Sequence, residues 1–287
     1  MSMGATQQDR RSLDAGRTPD TLDADAIAGG LRTEALGLKV KVFESTASTN
    51  SIAAEYARNP DNHGLAVFAE LQTAGRGRGG HRWFSARGDS LLVSIVLTRC
   101  DLRPELLSLT AAVAAAEAIG PGARIKWPND VLLSGRKVAG ILVETKAFGT
   151  HKAYVVGVGI NCHQRAEGFP PDLRTAATSL DLETGTVVDR NVLARRLLTI
   201  LEGWLAVATQ EPGRAVERWG QLSAQVGGWI TVVSDGARCS GTCLGVDPER
   251  GLILQLDRGG VRMFDASHSH LVSEVEPRDR RDESTAG

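Results

Sequence analysis

The sequence is poor in several features that would point to particular classes of protein. Four scattered cysteines in 287 residues are too few for a disulfide scaffold. Lys and Arg number 33 against 34 Asp and Glu, so the chain lacks the basic excess typical of proteins that coat nucleic acid. The most apolar run, residues 106–119, falls short of the ~20 residues that a membrane-spanning helix needs. Residues 1–20 contain no apolar segment of a signal peptide. These absences predict a cytoplasmic protein with reduced cysteines.

Glycine, in contrast, is abundant. Its 32 residues make up about 11% of the chain, against an average near 7%. Such an excess without low complexity is typical of tight turns and of backbone that approaches a ligand closely, which favours an enzyme.

The pattern of apolar residues changes once along the chain. Up to about residue 222, β-rich runs alternate with helical stretches, and from 223 onward short strands alternate with turns. We therefore expect a mostly disordered tail at 1–37 with at most one short helix, at residues 23–31. It is followed by a domain of mixed α and β structure at 38–222, a small β-barrel at 223–276 and a disordered tail at 277–287.

The predicted elements are short and well delimited. The predicted strands are Val40–Phe43, Leu65–Glu70, Leu91–Leu97, Val138–Val143, Tyr154–Ile160, Trp229–Val233, Ala237–Val246, Leu252–Leu256 and Val261–Asp265. The predicted helices are Asn50–Arg58, Pro104–Ile119, Asn191–Thr209 and Gly213–Trp219. The second helix is the best defined, because it begins at a proline and is followed by Gly-Pro-Gly.

A glycine–arginine loop, residues 72–83, carries the strongest local signal. Its glycines at 75, 77 and 80 fit G-x-G-x-x-G, but the next element is a strand and not the helix that a dinucleotide-binding loop must open. Arg76 and Arg78 remain, and guanidinium groups pair bidentately with phosphate or carboxylate. The loop therefore predicts contact with an anion.

Three further segments strengthen this interpretation. They are residues 126–130 (Lys-Trp-Pro-Asn-Asp), 137–142 (Lys-Val-Ala-Gly-Ile-Leu) and 157–161 (Gly-Val-Gly-Ile-Asn). Glycine inside a strand often marks the close approach of a ligand or of other backbone. Together with the loop they concentrate cations around one carboxylate, Asp130. This suits attack of a substrate carboxylate on a nucleotide phosphate, where cations and a metal ion offset repulsion and no base is needed. Asp130 alone would suffice for Mg²⁺ that is held mainly by phosphates.

With residues 48–50 (Ser-Thr-Asn), these strings resemble the biotin–protein ligases in order and spacing over about 40–275. The resemblance implies an α+β fold, with a mixed, largely antiparallel sheet packed with helices, as in class II synthetases, and then a small SH3-like barrel. It also implies two half-reactions. Biotin and ATP give biotinyl-5′-AMP, and a lysine of a biotin carboxyl carrier domain then takes the biotin.

The resemblance also assigns roles to residues. It implies a biotin site at Ser48, Thr49, Asn50, Gln72, Gly75, Arg76, Lys137 and Gly140. It implies an ATP and adenylate site at Arg76, Arg78, Trp83, Asn129, Asp130, Lys137, Gly159 and Asn161. The catalytic residues would be Lys137, Arg76, Arg78 and Lys126, and Asp130 would hold Mg²⁺. The chain departs from the common loop at Gly79 and His81, where arginine is frequent, so this loop is less cationic.

Two alternatives stay open at this point. A lipoate–protein ligase shares the chemistry, but typically has an Arg-Arg-x-Ser-Gly-Gly-Gly type loop. A biotin-responsive repressor needs a helix-turn-helix, which residues 1–37 are too short to form, so we expect no DNA-binding domain. The expected partners are biotin and a carrier domain of acetyl-CoA, acyl-CoA or pyruvate carboxylase, with no nucleic acid and no membrane. An exposed sheet edge could also pair with a second copy in a homodimer.

Overall fold

The computed structural model describes residues 20–173 and 176–272. The tail expected at 277–287 and residues 1–19 lie outside the described residues. The helices are α1 Ala24–Ala28, α2 Thr49–Tyr56, α3 Pro104–Ile119, α4 Leu180–Thr184, α5 Arg190–Gln210 and α6 Pro212–Leu222. The strands are β1 Val40–Phe43, β2 Ala66–Ala69, β3 Ser90–Leu97, β4 Arg124–Lys126, β5 Asp130–Leu133, β6 Arg136–Phe148, β7 His151–Asn161, β8 Trp229–Ser234, β9 Ala237–Asp247, β10 Gly251–Leu256, β11 Val261–Phe264 and β12 Ser269–Leu271. Short 3₁₀ turns occupy Pro60–Asn62, Arg78–Gly80 and Ala166–Gly168.

The larger sheet has seven strands in the order β1-β2-β3-β7-β6-β5-β4. Strands β1 and β2 run parallel, and every other neighbouring pair in this sheet is antiparallel. A mixed, largely antiparallel sheet packed with helices is confirmed. The hairpin of β5 with β4 was not predicted, because a three-residue strand beside a proline gives no periodic signal.

One face of this sheet is covered by α3, which we call the helix face. On β7, Tyr154, Val156, Val158 and Ile160 belong to this core. Helix α3 is rich in alanine, and small side chains let it lie close to the strands. Helices α5 and α6 pack on α3 from outside. As predicted, α3 begins with Pro104 and ends before Gly120, whose φ of 114° no ordinary residue adopts easily.

The opposite face, the site face, is covered only in part. Helix α2 packs Ala53 and Ala57 against Val67, Val96 and Val155. Next to the N-terminal turn of α2 this face of the sheet is open. Glycines and polar residues stand there in place of the apolar side chains against which another helix would pack. This arrangement positions the candidate site at the N-terminus of α2.

The C-terminal part forms a second sheet of five antiparallel strands in the order β11-β10-β9-β8-β12. It fits the small β-domain that the turn spacing predicted. The fifth strand, β12, pairs with β8 and was not predicted. The domain boundaries drawn from the sequence remain predictions. None of the helices in the described residues combines the length and the apolar character that crossing a bilayer requires.

Residues 20–22 are fixed to the fold by a buried ionic cluster. Arg190, wholly buried at the start of α5, donates to Glu70 Oε2 and to Asp20 Oδ1, both at 2.8 Å. His163 contacts Asp20 Oδ1 at 3.1 Å and Asp181 Oδ2 at 2.9 Å. Burial opposes the charge on Asp20, but hydrogen bonds from His163 and Arg190 outweigh burial and lower its pKa to about 2. A buried charge of this kind is tolerated only because it is fully paired.

Candidate active site

A cavity of about 920 Å³ opens on the site face of the seven-stranded sheet. Of the residues predicted from the sequence, it is lined by Ser48, Thr49, Asn50, Gln72, Arg76, Arg78, Trp83, Lys126, Asn129, Asp130, Lys137, Gly140 and Gly159. The fold thus brings together motifs that are up to about 110 residues apart in the chain. A cavity of this size suits a ligand as large as a nucleotide joined to an acid.

Glycines of β6 and β7 form the floor of the cavity. A Cβ atom on Gly159 would lie 2.8 Å from the Trp83 indole, and one on Gly157 would lie 2.3 Å from Asn50 Oδ1. Gly140 has the same indole 3.1 Å from its Cβ position. The distances at Gly159 and Gly157 are under 3.0 Å, so a side chain at either position would force the neighbouring side chain to move. The close approach predicted from strand glycines is therefore made by the chain's own Trp83 and Asn50.

One end of the cavity is a neutral polar cluster. The backbone N and Oγ1 of Thr49 donate to Gln72 Oε1 at 2.7 and 3.0 Å. Below them, Ser94 Oγ lies 2.8 Å from Thr49 Oγ1 and 2.5 Å from Asn50 Oδ1. Ser94 is wholly buried and was missed by sequence reasoning, although a serine inside an otherwise apolar strand could have signalled it.

A second residue missed from the sequence is Glu144 on β6. Its Oε2 accepts from Asn50 Nδ2 at 3.0 Å and from Arg76 Nη2 at 3.1 Å. Arg76 Nη1 also donates to Ser51 Oγ at 3.0 Å. Arg76 is therefore held at the polar end of the cavity, on the first turn of α2.

The other end of the cavity is cationic. Lys137 Nζ lies 2.6 Å from Asp130 Oδ1 and 5.8 Å from the centroid of the Trp83 ring system. Asn129 Nδ2 donates to the Ile141 carbonyl at 2.8 Å and fixes the 126–130 segment against β6. The side chain of Lys137 is 37% exposed, so its remaining donors can reach a ligand.

Arg78 joins this end from the glycine–arginine loop. Burial lowers the pKa of Arg78, while the nearby carboxylates of Asp265 and Asp130 act in the opposite direction. Residues 266–271, which lead into and form β12, also line the cavity. No local motif marks this segment, because only the packing of the C-terminal sheet brings it to the site.

Two predicted site residues do not line the cavity. The Gly75 carbonyl accepts from the Trp83 backbone N at 3.0 Å, so Gly75 shapes the base of the loop. Asn161 is buried, donates to the Thr178 carbonyl at 2.9 Å and accepts from Gln164 at 3.1 Å. Asn161 thereby ties the end of β7 to the residues that precede α4.

The described residues contain no group of three or more His, Cys, Asp or Glu side chains able to hold a metal ion. Asp130 offers one carboxylate, and one of its oxygens already contacts Lys137. This donor set fits only a cation whose other ligands are phosphate oxygens and water, as is usual for Mg²⁺ at nucleotides.

Comparison with known proteins agrees with this geometry. The model of the biotin/lipoate A/B protein ligase family matches residues 42–161, which contain every site residue predicted above. The bifunctional ligase/repressor BirA of Bacillus spizizenii is 32% identical over 259 residues, 87% of this chain and 79% of the relative. The chain belongs to the biotin/lipoate A/B protein ligase family.

A second relative and a solved structure also match the chain. The biotin–[acetyl-CoA-carboxylase] ligase of Paracoccus denitrificans is 35% identical over 221 residues, 73% of this chain and 91% of the relative. Among solved structures, a biotin protein ligase from Aquifex aeolicus in complex with biotin and ATP has a TM-score of 0.70 at 23% identity. That alignment covers 82% of this chain and 98% of the other, and it confirms the fold.

Proposed function

We propose that this chain is a biotin–protein ligase, an ATP-dependent and AMP-forming enzyme. It activates biotin as biotinyl-5′-AMP and transfers the biotin to a lysine of a carrier domain. The observation that carries the proposal is one cavity with a neutral polar end at Thr49 and Gln72 and a cationic end at Lys137 and Arg78. Relatives at 32–38% identity that are named as ligases support it.

In the first half-reaction the biotin carboxylate attacks the α-phosphorus of ATP, a new P–O bond forms, and pyrophosphate leaves with the electron pair of the broken bond. The carboxylate is ionised at neutral pH, so no general base is required. The main obstacle is the electrostatic repulsion between the biotin carboxylate and the phosphates of ATP, which are both anionic. Lys137 Nζ, held by Asp130, would donate to the oxygens at this junction, and Arg78 would neutralise phosphate charge.

Mg²⁺ is proposed as the cation held by Asp130 and the phosphates. When bound, it would supply further neutralisation of the phosphate oxygens.

In the second half-reaction the neutral amine of the acceptor lysine attacks the carbonyl carbon of the mixed anhydride. The C–N bond forms, the C–O bond to phosphate breaks, AMP leaves, and the amine proton passes to solvent. Until that step, Arg78 and the loop around it would keep the reactive intermediate from water.

The polar end favours biotin over lipoate. The cyclic urea of biotin carries N–H donors and a carbonyl acceptor that can pair with Ser48, Thr49 and Gln72. The dithiolane ring of lipoate has neither, and buried polar groups left unpaired cost about 1–3 kcal/mol each. Lipoate transfer remains the second candidate, since the family includes lipoate ligases.

The test is transfer to an acceptor. The purified protein is incubated with ATP, Mg²⁺, an isolated carrier domain and either biotin or lipoate, beside the same domain with its acceptor lysine replaced by arginine. Mass spectrometry should find one added biotin on the first domain and none on the second. Transfer of lipoate alone, or of neither acid, would refute the proposal.

The finer assignments are also proposals. The acceptor domain would belong to an acetyl-CoA, acyl-CoA or pyruvate carboxylase, as the names of relatives suggest for the first of these. Strand β1 lies at the edge of the large sheet and could pair with a carrier domain or a second copy, so a homodimer remains a prediction. The cytoplasmic location and the absence of a DNA-binding function also remain predictions.

A further inference from the structure

Glu144 is the only carboxylate among the lining and supporting residues described at the polar end of the cavity. It lies on the site face of β6, in the row that continues from Gly140 and Leu142. Its side chain is 23% exposed, and its neighbours on this face of the strand are the floor of the cavity. A partly buried carboxylate here must be paired, and its partners show what it does.

The first partner is Asn50. Hydrogen bonds from two strands, β3 and β6, hold the Asn50 amide. Ser94 Oγ lies 2.5 Å from its Oδ1, and Glu144 Oε2 accepts from its Nδ2 at 3.0 Å. Gly157 lies between these strands and leaves the space that the amide occupies. Because a carboxylate only accepts and Asn50 Nδ2 only donates, Glu144 favours one orientation of the Asn50 amide, and the Leu142 carbonyl, 3.4 Å from Nδ2, supports the same orientation.

The second partner is Arg76. Its Nη2 lies 3.1 and 3.3 Å from the two Glu144 oxygens, while Nη1 donates to Ser51. The ion pair is partly screened, since the Arg76 side chain is 44% exposed. Even so, it holds the first arginine of the loop on α2 and away from Lys137 and Asp130. Arg76 and Arg78 thus lie at different ends of the cavity.

We propose that Glu144 is a positioning residue that determines affinity for the ring end of the acid substrate. It orients Asn50 beside Thr49 and Gln72 and anchors Arg76, and with it the base of the loop, at that same end. This inference rests on the proposed function, because it takes the polar end of the cavity to hold the ring system of biotin. Arg76 and Arg78 then have different roles, because Arg76 acts at the ring end of the cavity and Arg78 acts at the phosphates.

The test is the E144Q variant in biotin-dependent ATP–pyrophosphate exchange. Glutamine keeps the size of the side chain and one acceptor oxygen, but it removes the negative charge and places an amide N–H₂ group where Oε1 now faces the Arg76 guanidinium and Lys146 Nζ, 3.7 Å away. We expect the biotin KM to rise roughly 10- to 100-fold, the effect of losing hydrogen bonds to a charged group. The ATP KM and kcat should stay within about 3-fold of the wild type, since neither depends on this end of the cavity. E144D, which retracts the charge by one methylene, should give an intermediate biotin KM and covers the case in which E144Q does not fold.

A matched control separates positioning from general stability. Asp61 also pairs with an arginine, Arg99 at 3.4 Å, but at an exposed site outside the cavity. D61N should leave both KM values unchanged. In addition, E144Q should have a smaller effect in an R76M or N50A background than in the wild type, because one of the partners through which Glu144 acts is already gone, while Lys146 remains in both backgrounds.

The outcomes distinguish the two claims. If the wild type shows no biotin-dependent exchange, the proposed function fails. If the wild type exchanges and E144Q has an unchanged biotin KM, the positioning role is wrong while the function stands. Equal changes in the biotin and ATP KM values, or a loss confined to kcat, would also overturn the positioning role.

Discussion

The two faces of the seven-stranded sheet carry opposite chemistry on the same strands. On β7 the helix face presents Tyr154, Val156 and Val158, all buried against the α3 side. The site face of the same strand presents Gly157 and Gly159, on which Asn50 and Trp83 rest. Because side chains alternate along a strand, one segment can supply both a core and a ligand site.

Stability and activity should therefore be separable here between residues that are adjacent in the sequence. A change on the helix face should lower the free energy of unfolding and spare the kinetics. A change on the site face should alter the kinetics and leave the free energy of unfolding nearly unchanged.

Lys137→Ala should produce the largest loss on the site face. Exchange with biotin should fall by about 10²–10³-fold, because a cation aimed at developing charge is lost. Biotin binding measured by calorimetry should change far less, since the ring end is intact. Lys152→Ala, on the exposed part of β7, serves as the control. Equal losses in binding and exchange would contradict a role at the carboxylate–phosphate junction.

Gly157→Ala and Val156→Ala compare the two faces directly. The new Cβ on residue 157 must displace Asn50, so the biotin KM should rise at least ~10-fold with a small change in stability. Val156→Ala should lower the free energy of unfolding by about 1–2 kcal/mol and leave the KM values unchanged. Urea unfolding and exchange kinetics measure both. If the two variants behave alike, the separation of the faces is wrong.

Arg78→Gly should affect retention of the intermediate more than its formation. Without this guanidinium the adenylate should dissociate about 10-fold faster, as expected for one lost charge-assisted hydrogen bond. Stopped-flow or filter-release measurements with labelled biotin give the rate, and Arg87→Gly, at an exposed ion pair outside the cavity, is the control. A dissociation rate equal to that of the wild type would exclude this role for Arg78.

The last prediction concerns stability alone. The pKa of Asp20 is about 2 in the folded protein, below its ordinary 3.8. Its contribution, on the order of 2 kcal/mol, is therefore complete above the ordinary pKa and is lost as the pH falls toward the folded value. Urea unfolding between about pH 5 and pH 2 should show this loss in the wild type and a smaller one in Asp20→Asn. If the free energy of unfolding depends on pH in the same way in both proteins, Asp20 does not contribute to stability as proposed.

Local sequence signals predicted much of the fold and of the site. Helix α3 was predicted to the residue because proline and glycine mark its ends. The site residues from Ser48 to Gly159 were predicted because they stand in motifs that resemble those of the biotin–protein ligases. Glu144, Ser94 and residues 266–271 were missed, since each acquires its role only through strand pairing or packing across the fold. Arg190 was missed for a similar reason: in an amphipathic helix, a buried arginine has the same local signature as an exposed one.

The most direct test of the central claim is ATP–pyrophosphate exchange by the purified wild-type protein with Mg²⁺, comparing biotin, lipoate and octanoate. The neutral polar end of the site face predicts exchange with biotin and little with the other two acids. Exchange with lipoate or octanoate in preference to biotin, or with none of the three, would contradict the assignment of this cavity to biotin activation.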